Sequence, residues 1–200
     1  MNKAALFLNG EKPTNNPVIS NYDIIVCTDG AYQFLLESHM VPDLIIGDFD
    51  SIEKLPNHID HIHMPDQNST DFEKALNLLI DKGYKSVDVF AANGLEQDHF
   101  LGNMTAALKY YDDIKITFYD DRQEYFFANK QTILEKVQGK TISLFPFPYT
   151  YNVTSQGLKY PLKDQTLSMI GNKIGTRNHA LENSVTISFS DGYLLLFIER

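Results

Sequence analysis

Two aspartates stand one residue apart at the end of an apolar run, in the segment LIIGDFDS at residues 44–51. Asp48 and Asp50 have i, i+2 spacing, which in an extended backbone places both carboxylates on one side of the chain. Two like charges this close favour a cation between them. Hard oxygen ligands, without cysteines or paired histidines, favour Mg²⁺ over zinc. A solvated turn without a metal is the alternative interpretation of the same spacing.

Further acidic residues follow other apolar runs of the chain. Asp29 lies in TDGA, Asp66 and Asp71 lie in PDQNSTDF, and Asp98 lies in GLEQDH. Ligands of open α/β sheets bind outside the carboxyl ends of the strands, so we expect these carboxylates to converge at one edge. Taken singly, each of them is also typical of a turn or a helix cap.

The segment around Asp71 offers groups that could bind an anionic ligand. Gln67, Ser69 and Thr70 precede a predicted helix, whose first N–H groups lack partners within the helix and can bind phosphate. Asp71 is then either a third metal carboxylate or a plain N-terminal acid favoured by the helix dipole. His99, at the start of the next predicted helix, is either a general base or a hydrogen-bonding cap.

The elements that must position these residues alternate between strands and helices. Apolar runs predict strands at residues 4–8, 24–27, 44–46, 86–92 and 114–119, and helical spacing predicts helices at 30–39, 70–83 and 98–111. Thr70 and Glu73 have the spacing of a capping box, and Gly83 marks a helix end. This alternation predicts a mostly parallel sheet covered on both faces.

The pattern changes after residue 128. Strand-like runs at 140–147, 151–158, 184–190 and 193–199 are separated by turn signals, and SDG at 190–192 predicts a hairpin turn between the last two. We therefore expect an α/β catalytic domain over residues 1–130 and an all-β, sandwich-like domain over residues 131–200. The join should lie between Phe127 and Gly139, where the chain is more polar.

Composition and charge narrow the class of function. The hydrophobic share of 43% and the charged share of 22% are typical of a globular protein. A net charge of −9 repels phosphate backbones, so we expect no nucleic-acid partner. Cys27, the single cysteine, is expected to be buried rather than nucleophilic. The apolar stretch near the start is too short for a signal peptide or a membrane span, and we expect a cytoplasmic protein.

Seven motifs follow one another along nearly the whole chain: TDGA, PDLIIGDFDS, DQNSTDFEKAL, DHFLGN, SLFP, TSQGLKYPL and TRN. This order resembles the thiamine pyrophosphokinase family. The resemblance implies an α/β domain followed by a β-sandwich, in a homodimer whose active sites are shared by the two chains. It also implies transfer of a pyrophosphoryl group from ATP to the hydroxyethyl group of thiamine with Mg²⁺, giving thiamine diphosphate and AMP.

The resemblance also implies roles for individual residues. The implied metal ligands are Asp48, Asp50 and Asp71, and the implied catalytic residues are these three together with Asp98. The residues around the nucleotide and its phosphates are Asp29, Gln67 and Thr70, with Ser69 beside them as a neutral donor. The residues that would contact thiamine are Asp98, Thr176, Arg177 and Asn178, the last three across a dimer interface. Which acid accepts the hydroxyl proton, Asp71 or Asp98, stays open.

The chain departs from the family pattern at two places. Glu96 stands where the family often has the arginine of a GGR motif, and Arg177-Asn178-His179 stands where bacterial members often have SNE. Arg177 either restores the missing positive charge or only changes the thiamine pocket. Because of the lost arginine, a non-catalytic thiamine- or nucleotide-binding protein stays an alternative.

A Mg²⁺-dependent phosphatase that uses Asp48 and Asp50 is the other alternative. LIIGDFDS resembles the strand end of haloacid-dehalogenase-like hydrolases, in which the first aspartate is the nucleophile. Gly47, Ser51 and the all-β second half argue against this interpretation.

Overall fold

The computed structural model describes residues 2–50, 52, 55–66, 68–171 and 173–200. The chain divides into two compact units, residues 1–121 and 122–200. All helices of the described chain lie in the first unit, and the second consists of strands. The expected fold class, an α/β unit followed by an all-β unit, is confirmed. The expected functional boundary at residue 130 stays a prediction. The compact units divide earlier, because the strand at Gln123–Phe127 pairs with the last strand of the chain.

The first unit is a parallel sheet with helices between its strands. Its strands are β1 (Lys3–Phe7), β2 (Ile24–Thr28), β3 (Leu44–Gly47), β4 (Asp60–His63), β5 (Ser86–Phe90) and β6 (Lys115–Tyr119). Its helices are α1 (Asp29–Glu37), α2 (Asp71–Asp81) and α3 (Gln97–Lys109), and a short 3-10 turn spans Ile19–Asn21. The strand order is β4-β3-β2-β1-β5-β6, with every neighbouring pair parallel.

This strand order changes direction at β1. The chain moves outward from β1 through β2 and β3 to β4, and then returns to add β5 and β6 on the other side of β1. The change of direction therefore lies between β1 and β5, and open α/β sheets bind ligands at the carboxyl ends of the strands at such a point.

Both faces of the parallel sheet are buried, as the apolar strand runs predict. Ala5, Cys27 and Ile45 pack with Ala31 and Leu35 of α1 in one apolar cluster. The residues that alternate with them along the strands point to the opposite face and are also fully buried: Leu6, Val26 and Ile46. The strands are thereby held rigidly, and their ends can hold side chains in fixed positions.

Helix α2 begins where its sequence predicts. The Thr70 hydroxyl accepts the Glu73 N–H at 3.2 Å, and the Glu73 carboxylate accepts the Thr70 N–H at 3.1 Å. This reciprocal pair is the predicted capping box. Gly83 follows the helix with φ of 84°, the left-handed conformation that glycine adopts most easily. The start of α2 is thus fixed by its own side chains.

The second unit is built from antiparallel strands around one long strand. Its strands are β7 (Gln123–Phe127), β8 (Gln131–Glu135), β9 (Thr141–Gln156), β10 (Gln165–Ser168), β11 (Gly175–His179), β12 (Ser184–Ser188) and β13 (Asp191–Glu199). Strands β10, β11, β12 and β13 all pair with β9. The runs predicted as separate strands at 140–147 and 151–158 are therefore one strand. The strand continues past Pro148, and the Pro148 carbonyl accepts the Met169 N–H at 2.9 Å.

The predicted hairpin at residues 190–192 is wrong. Strands β12 and β13 are consecutive but pair with different parts of β9: β12 with residues 154–156, and β13 with residues 142–151. The glycine signal has another cause. A Cβ on Gly192 would lie 2.0 Å from the Tyr149 carbonyl oxygen, so glycine is required by the close approach of β9.

A continuous apolar core fills the second unit. Its fully buried members include Ile142, Val153, Leu167, Val185 and Leu196, which come from four strands. The longest described helix of the chain, α3, has 13 residues, and none of the described helices combines the length and the apolarity needed to cross a bilayer.

Candidate active site

A cleft of about 680 Å³ opens in the first unit at the carboxyl ends of the parallel strands. It is built from the segments that follow β1, β2, β3 and β5 and from the first turns of α2 and α3. Its polar lining consists of Asn9, Thr28, Asp29, Asp48, Asp50, Thr70, Asp71, Asn93, Glu96, Asp98, His99 and Asn103. Of the six acids expected to converge, Asp29, Asp48, Asp50, Asp71 and Asp98 line this cleft, whereas Asp66 does not.

Asp29 forms the buried floor of this acidic group. The residue is 5% exposed and starts α1 directly after β2. Its Oδ1 accepts the Gly30 N–H at 2.7 Å, and its Oδ2 accepts the Phe49 N–H at 2.9 Å. A Cβ on Gly47 would lie 2.6 Å from the Asp29 Cγ, so glycine at the end of β3 makes room for this carboxylate. Asp29 thereby ties the end of β3 to the start of α1.

Asp48 and Asp50 are brought together by a turn, and not by the extended backbone that their spacing suggested. Strand β3 ends at Gly47, and Phe49 has a positive φ of 65°. The Asp50 N–H is bonded to the Asp48 Oδ1 at 3.2 Å. The Phe49 ring packs on the rings of His63 and His61, with centroids 5.6 and 5.8 Å away. The turn is thus anchored through its backbone to Asp29 and through its ring to β4.

Asp29, Asp48 and Asp50 form a carboxylate group in which one oxygen from each residue lies within 4.8 Å of the others. Burial raises the pKa of Asp29, and the nearby charges of Asp71 and Asp48 raise it further, against the lowering effect of its two backbone hydrogen bonds. Crowded oxygens of like charge are the donor set that a hard divalent cation prefers. The group of Asp29, Asp48 and Asp50 fits Mg²⁺, and the expected ligation by Asp71 stays a prediction.

Asp71 lines the same cleft from the first turn of α2. Its Oδ1 accepts a hydrogen bond from the Lys74 ammonium at 2.9 Å, one helical turn later. Its charge reaches Asp29, as the raised pKa of that residue indicates. Asp71 is therefore close enough to act on the carboxylate group electrostatically.

Asp98 lies in the first turn of α3 and is exposed. Its Oδ1 accepts the His99 N–H at 2.9 Å. His99 Nε2 lies 3.4 Å from a carboxylate oxygen of Glu96, which is the residue that replaces the arginine of the GGR motif. This wall of the cleft therefore carries two acids and one histidine.

The predicted phosphate-binding residues differ in how they are placed. The Thr70 hydroxyl lines the cleft and is also the N-cap acceptor of α2. The Ser69 hydroxyl donates to Asp66 at 3.2 Å, and Ser69 does not belong to the cleft lining. Gln67 lies outside the described residues.

The predicted thiamine segment lies on β11 of the second unit. Asn178 is buried; its amide donates to the Tyr160 carbonyl at 2.7 Å and accepts the Tyr160 N–H at 3.0 Å. Thr176 and Arg177 are exposed, and Arg177 has a positive φ of 55°. The Asn178 side chain is thus used within its own unit, whereas the side chains of Thr176 and Arg177 face solvent.

Three asparagines of the cleft were not predicted as site residues: Asn9 after β1, Asn93 after β5, and Asn103 on α3. The loops after β1 and β5 contact each other, because the Gly10 N–H donates to the Ala91 carbonyl at 2.8 Å. A Cβ on Gly10 would lie 2.3 Å from that carbonyl oxygen. An Asn-Gly pair directly after each of two strand predictions, at 9–10 and 93–94, was the available signal.

Cys27 is fully buried on β2, as predicted. Burial raises the pKa of its thiol, and the charge of Asp29 raises it further. A thiol kept protonated in this way is a poor nucleophile.

Comparison with known proteins agrees with the site. Residues 16–118 match the family model described as thiamin pyrophosphokinase, catalytic domain, and residues 130–194 match the one described as thiamin pyrophosphokinase, vitamin B1 binding domain. The chain is 30% identical over 173 residues to thiamine pyrophosphokinase of Bacillus subtilis, covering 81% of this chain and 80% of that protein.

Solved structures show the same fold over the whole chain. The crystal structure of thiamine pyrophosphokinase from Bacillus subtilis superposes with a TM-score of 0.83 and 25% identity, covering 98% of both chains. A thiamin pyrophosphokinase family protein from Enterococcus faecalis shares the fold with a TM-score of 0.85 and 22% identity, covering 99% of both. With both family models matched in order and an acidic cleft in the catalytic one, the chain belongs to the thiamin pyrophosphokinase family.

Proposed function

We propose that this protein transfers a pyrophosphoryl group from ATP to the hydroxyl of thiamine, producing thiamine diphosphate and AMP. The observation that carries the proposal is the group of Asp29, Asp48 and Asp50 in a cleft of the unit that matches the catalytic-domain model. An acidic cleft repels a polyphosphate unless a cation is present, so the site is suited to a metal–nucleotide complex.

Mg²⁺ is the metal that we assign to this site. Asp48, Asp50 and Asp71 would hold it, and Asp29 anchors the turn that carries Asp48 and Asp50. When bound, Mg²⁺ would supply positive charge that offsets the charge of the transferred group. The remaining work of the chain is to bind and orient the two substrates.

The reaction is an in-line displacement at the β-phosphorus of ATP. The thiamine hydroxyl oxygen forms a bond to this phosphorus while the bond to the oxygen shared with the α-phosphorus breaks. AMP leaves with that oxygen, and the hydroxyl proton passes to Asp98 or Asp71, which both line the cleft outside the Asp29–Asp48–Asp50 group. Catalysis of this step rests mainly on positioning and electrostatic stabilisation.

The start of α2 suits the polyphosphate. Thr70 lines the cleft at the helix N-terminus, where backbone N–H groups and the helix dipole favour an anion. Gln67 and Ser69 complete the proposed phosphate-binding segment, and Asp29 is proposed to lie close to the nucleotide.

We assign thiamine to Asp98 and to the segment Thr176-Arg177-Asn178, in which the Asn178 amide would hold the strand and the exposed residues would contact the substrate. By resemblance to the family, this segment would come from the second chain of a homodimer. Light scattering coupled to size exclusion measures the mass and tests the dimer, and a monomer at micromolar concentration would contradict it.

The decisive experiment is incubation of the purified protein with ATP, Mg²⁺ and thiamine, followed by chromatography. Thiamine diphosphate and AMP are expected in equal amounts, and chelation of the metal with EDTA should abolish both. Release of inorganic phosphate without thiamine dependence would indicate the phosphatase instead. Thiamine binding by calorimetry without any AMP would indicate a non-catalytic binding protein.

A further inference from the structure

Lys74 is the only buried lysine or arginine in the described ranges of the chain, with 6% of its surface exposed. It lies on α2 next to Ala75 and Leu76, which are fully buried. Burial of an ammonium group is unfavourable unless the charge is paired. A lysine kept in such a position therefore needs a partner that the fold supplies.

The partner of Lys74 is an acid of the cleft. Its ammonium donates to the Asp71 Oδ1 at 2.9 Å, whereas Lys74 itself does not line the cleft. The Asp71 side chain is 34% exposed, and its Oδ2 has no hydrogen-bond partner among the described residues. The lysine thus binds Oδ1 of Asp71 from outside the cleft, and Oδ2 stays available to a ligand in the cleft.

Helix α2 carries a second acid–lysine pair that serves as an internal comparison. Glu73 binds the Lys109 ammonium of α3 at 2.8 Å, and neither residue lines the cleft. The Lys109 side chain is 59% exposed. The two pairs are similar in length, but only the pair of Lys74 connects the interior to the acidic group.

We propose that Lys74 is a positioning residue that acts through Asp71. It fixes the Asp71 carboxylate so that Oδ2 is presented to the metal–polyphosphate complex, and its positive charge offsets the repulsion between Asp71 and the neighbouring carboxylates. The inference rests on the proposed function, because it assigns Asp71 to the metal–nucleotide site. Lys74 makes no contact with substrate in this account.

The test measures metal binding directly. Mn²⁺ replaces Mg²⁺, and electron paramagnetic resonance measures the concentration of free Mn²⁺ as α,β-methylene ATP is added to the protein. The methylene group of this analogue replaces the oxygen between the α- and β-phosphorus, so the transfer reaction cannot occur. The proteins are wild type, Lys74→Met, Asp71→Asn, the Lys74→Met/Asp71→Asn double variant, and Lys109→Met as the matched control. AMP formation by the wild type is measured separately and tests the proposed function.

Lys74→Met should weaken Mn²⁺ binding by about tenfold, in the range observed when a partner of a metal ligand is removed. Lys109→Met should bind like the wild type, and the double variant should bind like Asp71→Asn. If Lys74→Met binds like the wild type, or if the double variant is a further tenfold weaker than Asp71→Asn, the proposal is overturned. The second result would mean that Lys74 acts on the polyphosphate itself.

Folding of the single variant does not limit the test. If Lys74→Met does not fold, the double variant, which contains neither charge, is compared with Asp71→Asn alone. Equal Mn²⁺ binding by the two is expected, and tenfold weaker binding by the double variant overturns the proposal. A wild type that binds Mn²⁺ with the analogue but forms no AMP from ATP and thiamine would contradict the proposed function without changing the result for Lys74.

Discussion

Two aspartates of the first unit are equally buried but lie in opposite electrostatic surroundings. Asp88 on β5 and Asp29 after β2 are each 5% exposed. Asp88 Oδ2 accepts hydrogen bonds from the Lys3 ammonium at 2.6 Å and from the Tyr22 hydroxyl at 2.9 Å. Within the described part of the chain, Asp29 has only backbone N–H donors, and its charged neighbours are the carboxylates of Asp48 and Asp71.

The two acids differ in whether groups of the same unit balance the charge of the carboxylate. The charge of Asp88 is balanced by a cation and a hydroxyl of the same unit, so its role is to hold β5, β1 and the segment before β2 together. The charges around Asp29 are of one sign and lie where loops leave the sheet, at the edge where open α/β sheets bind ligands. A cation that binds to such an acidic group offsets the repulsion between its carboxylates.

The largest expected effect is the loss of activity when one carboxylate of the acidic group is removed. Asp50→Ala should lower the rate of AMP formation by at least 100-fold, of the order of the ~3 kcal/mol lost when one electrostatic contact to a transition state is removed. Thermal unfolding should shift little or upward, because repulsion with Asp48 is relieved. Asp60→Ala, an exposed acid on β4 outside the cleft, is the control and should keep wild-type activity. Near-normal turnover by Asp50→Ala would remove the metal site from the mechanism.

The second effect concerns stability alone. Asp88→Ala removes a buried carboxylate that accepts from the Tyr22 hydroxyl and the Lys3 ammonium, and it should lower the free energy of unfolding by about 2 kcal/mol, in the range of a hydrogen bond to a charged group. Because the Lys3 side chain is 39% exposed, its ammonium can still be hydrated. Urea denaturation measures the change, and activity below the transition should stay near wild type. Glu37→Ala, which removes an ion pair with Lys12 at 3.0 Å whose two side chains are more than half exposed, should change the urea midpoint little. Equal losses in both variants would mean that burial of Asp88 has no special value.

The fold could be predicted where short sequence patterns decide it. The cap of α2 depends on residues three positions apart, and the buried strands depend on continuous apolar runs, so both are present as predicted. Strand β9 and the connection at Gly192 were mispredicted because they depend on distant pairing. Gly192 marks a contact with Tyr149, and a local turn pattern cannot be distinguished from such a contact in the sequence.

For the candidate site, too, local patterns could be predicted and contacts between distant residues could not. Its place at the carboxyl edge followed from the alternation of strands and helices, and the acids that line it were predicted from their positions after apolar runs. The partner of each acid could not be predicted in this way. Asp29 is closer to Asp48 and Asp50 because Gly47 lets its carboxylate approach, whereas Asp71 is bound to Lys74. Side-chain directions and tertiary contacts decide these pairings, and spacing along the chain does not.

The smallest effect is a pH dependence of stability with opposite signs at two acids. Burial and nearby carboxylates raise the pKa of Asp29, so the folded protein binds this proton more tightly than the unfolded chain does. The resulting stabilisation is complete below the ordinary aspartate pKa of about 3.9 and is lost as the pH rises through the raised value. Hydrogen bonds from Lys109 and Thr70 lower the pKa of Glu73, so its stabilisation is present above the ordinary glutamate pKa and is lost as the pH falls.

Asp29→Asn should therefore gain stability relative to the wild type as the pH rises from about 4, the ordinary aspartate pKa. Glu73→Gln should lose stability relative to the wild type at lower pH, as the pH rises toward the ordinary glutamate pKa of about 4.3. The slope of the difference with pH is the readout, because Asp29→Asn also removes one of the two acceptors for the N–H groups of Gly30 and Phe49, which adds a constant offset. Urea denaturation at several pH values without metal measures both slopes. Millimolar Mg²⁺ should flatten the slope of Asp29→Asn and leave that of Glu73→Gln unchanged, since only the wild-type carboxylate group at Asp29 gains a cation. If the stability difference changes with pH in the same direction for both variants, Asp29 is no more crowded by like charges than Glu73, which is paired with Lys109.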